Sequence, residues 1–416
     1  MVNLSPYQQQ HQSTDQASSR GQSNAEFLRV EIDRWSARLR EISLSIHDHP
    51  ELAYHETHAH DVLTTFLIEE GFNVTTSYFL HTAFRAEWSL SSAERLVEEE
   101  EEKVVMFQSE YDALPKIGHA CGHNLIAISG VAALLFLRSL MIRSNHPGKI
   151  VLLGTPAEEG GGGKIQLIEK GAYEGVDVCV MCHPGPGKLG MGTFIGSLAI
   201  QTINASYHTE SSDGNALDAA VLAYSNISDS RQQMRPDDRV HGIIINGGQD
   251  LNSPVSLASL KYFIRSPTSD HLSALRDRVS GCFQGAALST ATRLEINFST
   301  PHLDQRNNPV LCSVYGEIAR EGWGYEAIVE DGVGAFSTDF GNVTHVVPSV
   351  AISYAIPTLP NGGNHTPLFT RSARSIRAHE ETLKTAACLA ELGFKVLVNS
   401  DGLRSKIRKA FESGRG

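Results

Sequence analysis

Cysteine is scarce in this chain, with six residues in 416 and none at the spacings of a disulfide scaffold. That excludes a small fold held by cross-links and points to a reducing compartment, most simply the cytosol. Long apolar runs are missing too. No stretch approaches 18 consecutive apolar residues, so a membrane span is not expected. The opening MVNLSPYQQQHQSTDQASSRGQSN is polar and lacks the apolar core of a secretory signal. Positive charge is in deficit, with Lys+Arg 35 against Asp+Glu 47, a net charge of −12. This argues against nucleic acid or an anionic membrane surface as the main partner. Part of the excess lies in a single run, Glu98 to Glu102. What is present is globular: 41% hydrophobic and 20% charged residues can build a core, and the length suits two or three domains.

Residues 1–24 read as a disordered tail. From Ala25 to Ile46, apolar residues recur near a 3.6-residue period, which predicts a helix ended by His49-Pro50. A second helix is expected over Thr57–Glu70, with Gly71 as its cap. Residues 89–103 are expected to form an exposed loop or a short frayed helix. Three short apolar runs follow, Val104–Gln108, Lys149–Leu153 and Val176–Cys182, with a strongly apolar helix over Leu125–Met141 between the first two. Alternating strand and helix predicts an α/β domain with a largely parallel sheet, and ligands bind such sheets beyond the carboxyl ends of the strands. Each run leads directly into a cluster of possible ligands. From about residue 193 to 308 the order becomes β-α-β-β-α-β, a ferredoxin-like insert. The α/β pattern then resumes over 309–400 with a helix near Val314, a strand over Val350–Ile356 and a helix over Ile376–Val398, leaving 401–416 as a tail. The first α/β segment is therefore 25–192.

Of the 18 histidines, the densest set is His47, His49, His55, His58 and His60. No acidic or cysteine partner is spaced to complete a metal set there, so these read as structural or solvated. CVMCH at 179–183 matches the pattern of covalent haem attachment. It ends an apolar strand in a chain without a signal, so Cys179 and Cys182 read as core residues, with His183 a separate matter. The serious constellation is distributed: Asp112 in SEYDALP, Cys121 and His123 in GHACGHN, Glu158 and Glu159 after KIVLLGTPA, His183, and His365 in NGGNHTP. Thiolate, imidazole and carboxylate are ligands of first-row metals. Two adjacent glutamates at a strand end are expected to point opposite ways, one to bind metal and one to act as a base.

GHACGHN, PAEEGGGGK, the His-Pro at 183–184 and NHTP resemble the co-catalytic metallopeptidases of the aminoacylase/carboxypeptidase type, peptidase family M20. The similarity is greatest to its amidohydrolase branch, which holds auxin-conjugate hydrolases, hippurate-type hydrolases and β-alanyl-lysine dipeptidase-like proteins. It extends over about 25–398. The resemblance implies a two-domain α/β protein: a mostly parallel-sheet catalytic domain with an inserted ferredoxin-like dimerisation lid. It implies two divalent metal ions, zinc before manganese, held by Cys121, His123, Glu159, His183 and His365. Glu158 would be the general base, and Asp112 would orient a ligand imidazole. In the lid, His208 would reach a partner's site and hold the developing oxyanion, while Asn252 and Arg265 would bind the substrate's terminal carboxylate. The implied reaction is hydrolysis of the amide bond in a small N-acyl amino acid or dipeptide by a homodimer.

The chain departs from the family pattern in NASYHTESSDG, shortened and without the usual Lys and Pro, and at Asn252-Ser253-Pro254. These positions bear on selectivity and leave the metal motifs untouched. The alternatives are a tailoring hydrolase for a specialised amide, or a metal-binding regulator without turnover.

Overall fold

The computed structural model describes residues 22–91, 103–210 and 214–414. Most of the expected N-terminal tail and the acidic run Glu98–Glu102, with most of the loop expected around it, lie outside the described residues. The elements run α1 (Asn24–Asp48), α2 (Thr57–Glu69), β1 (Asn73–Thr76), β2 (Phe84–Leu90), β3 (Val104–Glu110), α3 (His123–Ser144), β4 (Gly148–Thr155), α4 (Gly163–Glu169), β5 (Val178–Pro186), β6 (Met191–Ser197) and β7 (Ala199–His208). They continue α5 (Ala216–Asp229), β8 (Arg239–Asn246), β9 (Leu257–Ser266), α6 (Ser269–Thr290), β10 (Arg293–Phe298), α7 (Pro309–Trp323), β11 (Glu326–Gly334), α8 (Phe340–Thr344), β12 (Ser349–Ile356), α9 (Pro367–Ala373), α10 (Ile376–Val398) and α11 (Leu403–Ser413). The chain divides into two compact units. One holds the chain up to Ile195 with Arg306–Asp331 and Val343 onward; the other is Gly196–Gln305 with Gly332–Asn342.

In the first unit the ends of the helices follow local chemistry. Ser23 and Glu26 form a reciprocal capping box at the start of α1. The stripe Leu28, Trp35, Leu39, Ile42 and Ile46 is buried one turn apart. At the end of α2, Gly71 has φ +80°, its N–H reaches Ile68 O, and Phe72 N–H reaches Leu67 O. That is a Schellman closure, which a left-handed glycine makes possible. The sheet has eight strands in the order β1-β2-β4-β3-β5-β12-β6-β11. Its centre is parallel: β3 pairs with β4 and β5, and β5 with β12. Antiparallel β2 and β1 extend one side.

Helix α3 is long and apolar enough to cross a membrane by length and composition, yet 89% of its most apolar window is buried within the protein. It lies so close to β3 that a Cβ added at Gly130 would sit 2.4 Å from Ser109 Oγ and 2.5 Å from Gln108 O. Residues 401–416, expected as a tail, instead carry α11, whose Ile407 is buried in the core. The dense histidine set makes structural contacts: His58 Nε2 lies 2.9 Å from Ser45 Oγ, His47 Nε2 lies 2.9 Å from Thr370 O, and the His49 and His58 rings lie 4.3 Å apart.

The second unit has an antiparallel four-stranded sheet in the order β10-β7-β9-β8. With α5 and α6 between its strands this is the ferredoxin-like arrangement. Its core sets small residues of α5, Ala216, Ala219, Ala220 and Ala223, against larger ones such as Tyr207, Tyr262 and Phe283.

Candidate metal centre

The central strands of the first unit deliver their chemistry at their carboxyl ends. Asp112 follows β3, and a loop from it leads to Cys121 and Gly122, with His123 opening α3. Gly122 has φ +78°, and a Cβ there would lie 2.6 Å from Pro184 Cγ, so only glycine lets this turn rest against the His183-Pro184 segment. His183 stands on β5 opposite Ser353 of β12. His365, with φ 65°, precedes α9 and donates its N–H to Ala120 O at 2.8 Å, which fixes it beside the Cys121 loop.

These residues converge. Cys121 Sγ lies 3.4 Å from His183 Nε2. His183 Nδ1 is 2.8 Å from Pro184 O, a contact that leaves Nε2 for the site. Asp112 Oδ1 lies 2.9 Å from His123 Nδ1, so the far ring nitrogen faces inward. That atom, His123 Nε2, is buried without a hydrogen-bond partner, as is Glu159 Oε1. His365 Nε2 is 3.3 Å from Glu159 Oε1. Three groups have ligand atoms mutually within 4.8 Å: Cys121 with His123 and His183, Cys121 with Glu159 and His365, and Glu110 with His123 and Glu158. The sulfur belongs to the first two. Thiolate, imidazole and carboxylate donors around buried, partnerless ligand atoms fit divalent metal.

The electrostatics suit cation binding. Burial alone would raise the Cys121 thiol, but the charge of His183 and hydrogen bonding to His123, His183 and His365 lower it to about 5. Burial likewise opposes ionisation of Glu159, yet His365 and His123 lower it to about 2. Cys182 lacks such neighbours, and burial pushes it up to about 12. Cys179 and Cys182 are both buried core residues.

Glu158 and Glu159 depart from expectation. They do not end the strand. β4 stops at Thr155, and Ala157 turns the chain through φ 59° into a turn that carries both glutamates. Strand alternation therefore does not apply. Both carboxylates face the same ring, Glu158 Oε2 at 3.8 Å and Glu159 Oε1 at 3.9 Å from His123 Nε2. Asp112 Oδ2 accepts the Glu159 N–H at 2.8 Å, so one aspartate orients both an imidazole and the glutamate turn.

The first unit thus gathers Asp112, Cys121, His123, Glu158, Glu159, His183 and His365; His208, Asn252 and Arg265 belong to the second unit. His208 ends β7, paired with Leu257 and Arg293, and does not lie in the shortened loop. Its Nε2 is buried, 3.6 Å from Glu295 Oε2. Asn252 is exposed, with its N–H and Nδ2 on Asp250 Oδ1. Arg265 lies on β9, an interior strand, with Nη1 3.3 Å from Ser337 Oγ and a buried Nε without a hydrogen-bond partner.

Three residues at the centre escape the sequence reading. Glu110 Oε2 lies 3.6 Å from His123 Nε2, while its Oε1 lies 2.7 Å from Lys164 Nζ. Both members of this pair are fully buried. Burial opposes the charged form of Glu110, but Lys164 and His123 outweigh it and lower its pKa. The signal for Glu110 was its place two residues before Asp112 on the buried strand. Asn364 donates from Nδ2 to Pro184 O at 3.1 Å and touches Cys121 Sγ at 3.8 Å.

Comparison with known proteins adds to this geometry. The family model for Peptidase family M20/M25/M40 matches residues 97–387. The chain is 42% identical over 404 residues to the Xaa-Arg dipeptidase of Mus musculus, covering 92% of this chain and 90% of that protein. It is 40% identical over 415 residues to the Xaa-Arg dipeptidase of Homo sapiens, covering 94% of each. A dinuclear metal-binding peptidase of the M20 family from Bacillus subtilis shares the fold, with a TM-score of 0.69 and 19% identity over 88% of this chain and 99% of that one.

Proposed function

The chain belongs to peptidase family M20/M25/M40, and from that premise we propose that it is a dipeptidase acting on dipeptides with a basic C-terminal residue. It is a metal-dependent hydrolase of peptide or linear amide bonds, and two divalent ions are its cofactors. The preference for a basic residue takes its support from the two Xaa-Arg dipeptidases, which align with nearly the whole chain. The observation that carries the chemistry is the shared sulfur: two ligand triads meet at Cys121. Cys121, His123 and His183 would hold one ion, and Cys121, Glu159 and His365 the other; the soft thiolate favours zinc over manganese. When bound, such ions lower the pKa of a water molecule and polarise the scissile carbonyl.

The chain's own groups perform the proton transfers. Glu158, beside the cluster, takes the proton of the attacking water and hands it to the leaving nitrogen. Asp112 keeps the His123 ring in one tautomer. Arg265 suits the substrate carboxylate, since a planar guanidinium with a buried, partnerless Nε can accept that role without losing an existing bond. Asn252, in the loop that joins β8 to β9, is assigned to substrate binding as well, and His208 to the developing oxyanion. We assign the active species as a homodimer formed through the second unit. The exposed Ile243, Ile244 and Ile245 on its edge strand β8 support this, since an apolar sheet edge seeks a partner. Six free cysteines support a cytosolic setting.

The test is metal analysis of the purified protein coupled to turnover of an amide panel that includes alanyl-arginine, alanyl-lysine and N-acetyl amino acids. Two zinc ions per chain with preferential cleavage of the basic dipeptides is expected. Cleavage of N-acyl amino acids in preference to dipeptides would overturn the substrate assignment. Full metal loading without any turnover would overturn the enzymatic one.

A further inference from the structure

Glu56 occupies the position before α2, where a side chain ordinarily caps the first free N–H groups of a helix. Here Glu51 does that work. Its Oε1 accepts from the His58 N–H at 2.9 Å and its Oε2 from the Ala59 N–H at 3.0 Å. Glu56 is released to turn inward, and it is fully buried. Its Oε1 accepts from the backbone N–H of Tyr54 at 3.0 Å and of Ala157 at 2.9 Å, and its Oε2 accepts from the Thr82 hydroxyl at 2.8 Å. Tyr54 and Ala157 both have positive φ, 64° and 59°. Non-glycine residues enter that region only at a cost, and they persist there when the surroundings hold them. One carboxylate oxygen therefore holds two left-handed residues.

Ala157 immediately precedes the turn that carries Glu158 and Glu159. The rest of the turn is fastened as well. Asp112 Oδ2 accepts the Glu159 N–H, and the Tyr54 hydroxyl donates to Gly161 O at 2.6 Å. Thr82, the third donor to Glu56, is itself fixed: its carbonyl accepts from the Tyr111 hydroxyl at 2.5 Å, and Tyr111 is the chain neighbour of Asp112. Two buried carboxylates, Glu56 and Asp112, thus grip the glutamate turn from either side.

We propose that Glu56 is a positioning residue for hydrolysis: its carboxylate locks Ala157 in the left-handed conformation and so aims Glu158 and Glu159 at His123. The proposal rests on the reading of Glu158 as the base. A misplacement of about 1 Å at a catalytic group costs roughly 10²-fold in rate. Glu56→Ala removes all three contacts. Glu56→Gln keeps an oxygen for Tyr54 and Ala157 and sets its amide against a hydroxyl that can rotate to accept.

The experiment compares the two variants with the zinc-loaded wild-type protein. It reads kcat and KM on alanyl-arginine, zinc content, and hydrogen exchange of the 156–161 backbone by mass spectrometry. Glu56→Ala should lower kcat about 10²-fold with KM little changed, retain zinc, and speed exchange of 156–161 about tenfold or more while α3 stays protected. Glu56→Gln should stay within about threefold of wild type in kcat and leave exchange of 156–161 slow. If Glu56→Ala does not fold, Thr82→Val, which withdraws one donor, should loosen the same segment selectively. Unchanged exchange of 156–161 in Glu56→Ala, or in Thr82→Val when it stands in, overturns the proposal. So does a Glu56→Gln protein that loses zinc and global stability, because the residue would then serve the scaffold at large. Glu158→Gln is assayed alongside. If that variant keeps its turnover, the reading of the base fails, and the exchange data still decide whether Glu56 locks the turn.

Discussion

Glu158 and Glu159 are neighbours with different surroundings, and the roles proposed for them divide accordingly. Glu159 shares a ligand group with Cys121 and His365, and its backbone is pinned by Asp112. Glu158 shares a different ligand group, with His123 and Glu110. Glu158→Gln should therefore keep its full metal content and fold while losing roughly 10²–10⁴ in rate. Metal loss in that variant, measured by elemental analysis, would mean that the two roles are exchanged. A second outcome concerns the thiol. Its pKa of about 5 makes Cys121 a thiolate at neutral pH, whereas Cys182, at about 12, stays protonated. Alkylation at pH 7 should spare Cys121 in the metal-loaded protein and modify it once a chelator has stripped the metal, with Cys182 inert throughout. Equal labelling of Cys121 with and without metal, read by peptide mapping, would exclude ligation. The ligand types were legible in the sequence because cysteine, histidine and paired glutamates are uncommon at the ends of apolar runs. Glu110, Lys164 and Glu56 were not legible. Each makes decisive contacts with residues distant in sequence, and only Glu110 carries a local signal, its place at the end of a buried strand.

Elements were legible in proportion to how fully they are buried. β3 and β4, built on buried apolar runs, and α10, with its long buried face, stand where the sequence places them. The antiparallel β2 alternates Phe84, Ala86 and Trp88 with Arg85 and Glu87, a half-buried strand pattern too short to stand out beside the buried runs. β11 mixes acidic residues with glycine and shows no clear period, while the apolar stripe of α11, Leu403, Ile407 and Phe411, is one residue per turn and too sparse to stand out in a charged segment. The glutamate turn was misread for a different reason: a left-handed alanine breaks strand geometry, and alanine carries no turn signal of its own. One tight joint between elements lies where α3 crosses β3 at Gly130. Gly130→Ala would gain helix propensity, worth up to about 1 kcal/mol. It would also drive a methyl group to 2.4 Å from Ser109 Oγ and 2.5 Å from the Gln108 carbonyl. The backbone oxygen cannot turn away, so overpacking should win, with a net loss of about 1–3 kcal/mol. Thermal unfolding checks this; an unchanged or raised Tm would show that α3 can lift from the sheet without penalty.

At the scale of the whole molecule, the proposed reaction would draw on residues from both units. The proposed metal ligands and base belong to the first unit, and the candidate oxyanion donor His208 ends a strand of the second. If the homodimer supplies His208 to the site of the other copy, each site is built from two chains. One preorganised donor to an oxyanion contributes roughly 2.7–4 kcal/mol to the transition state, so His208→Ala should lower turnover about 10²–10³-fold. Its metal content and dimer mass should be unchanged, since His208 lies in neither ligand triad and away from the β8 edge. Mixing resolves which chain supplies the residue. A His208→Ala chain keeps its base, and a Glu158→Gln chain keeps its histidine. After subunit exchange, one site in each mixed dimer would combine the intact Glu158 of one chain with the intact His208 of the other, and activity should rise above that of either variant alone. A mixture that stays inactive, although mass spectrometry shows mixed dimers, would place His208 in the site of its own chain. A His208→Ala enzyme with near-normal turnover would remove the residue from the reaction altogether, leaving oxyanion stabilisation to the first unit.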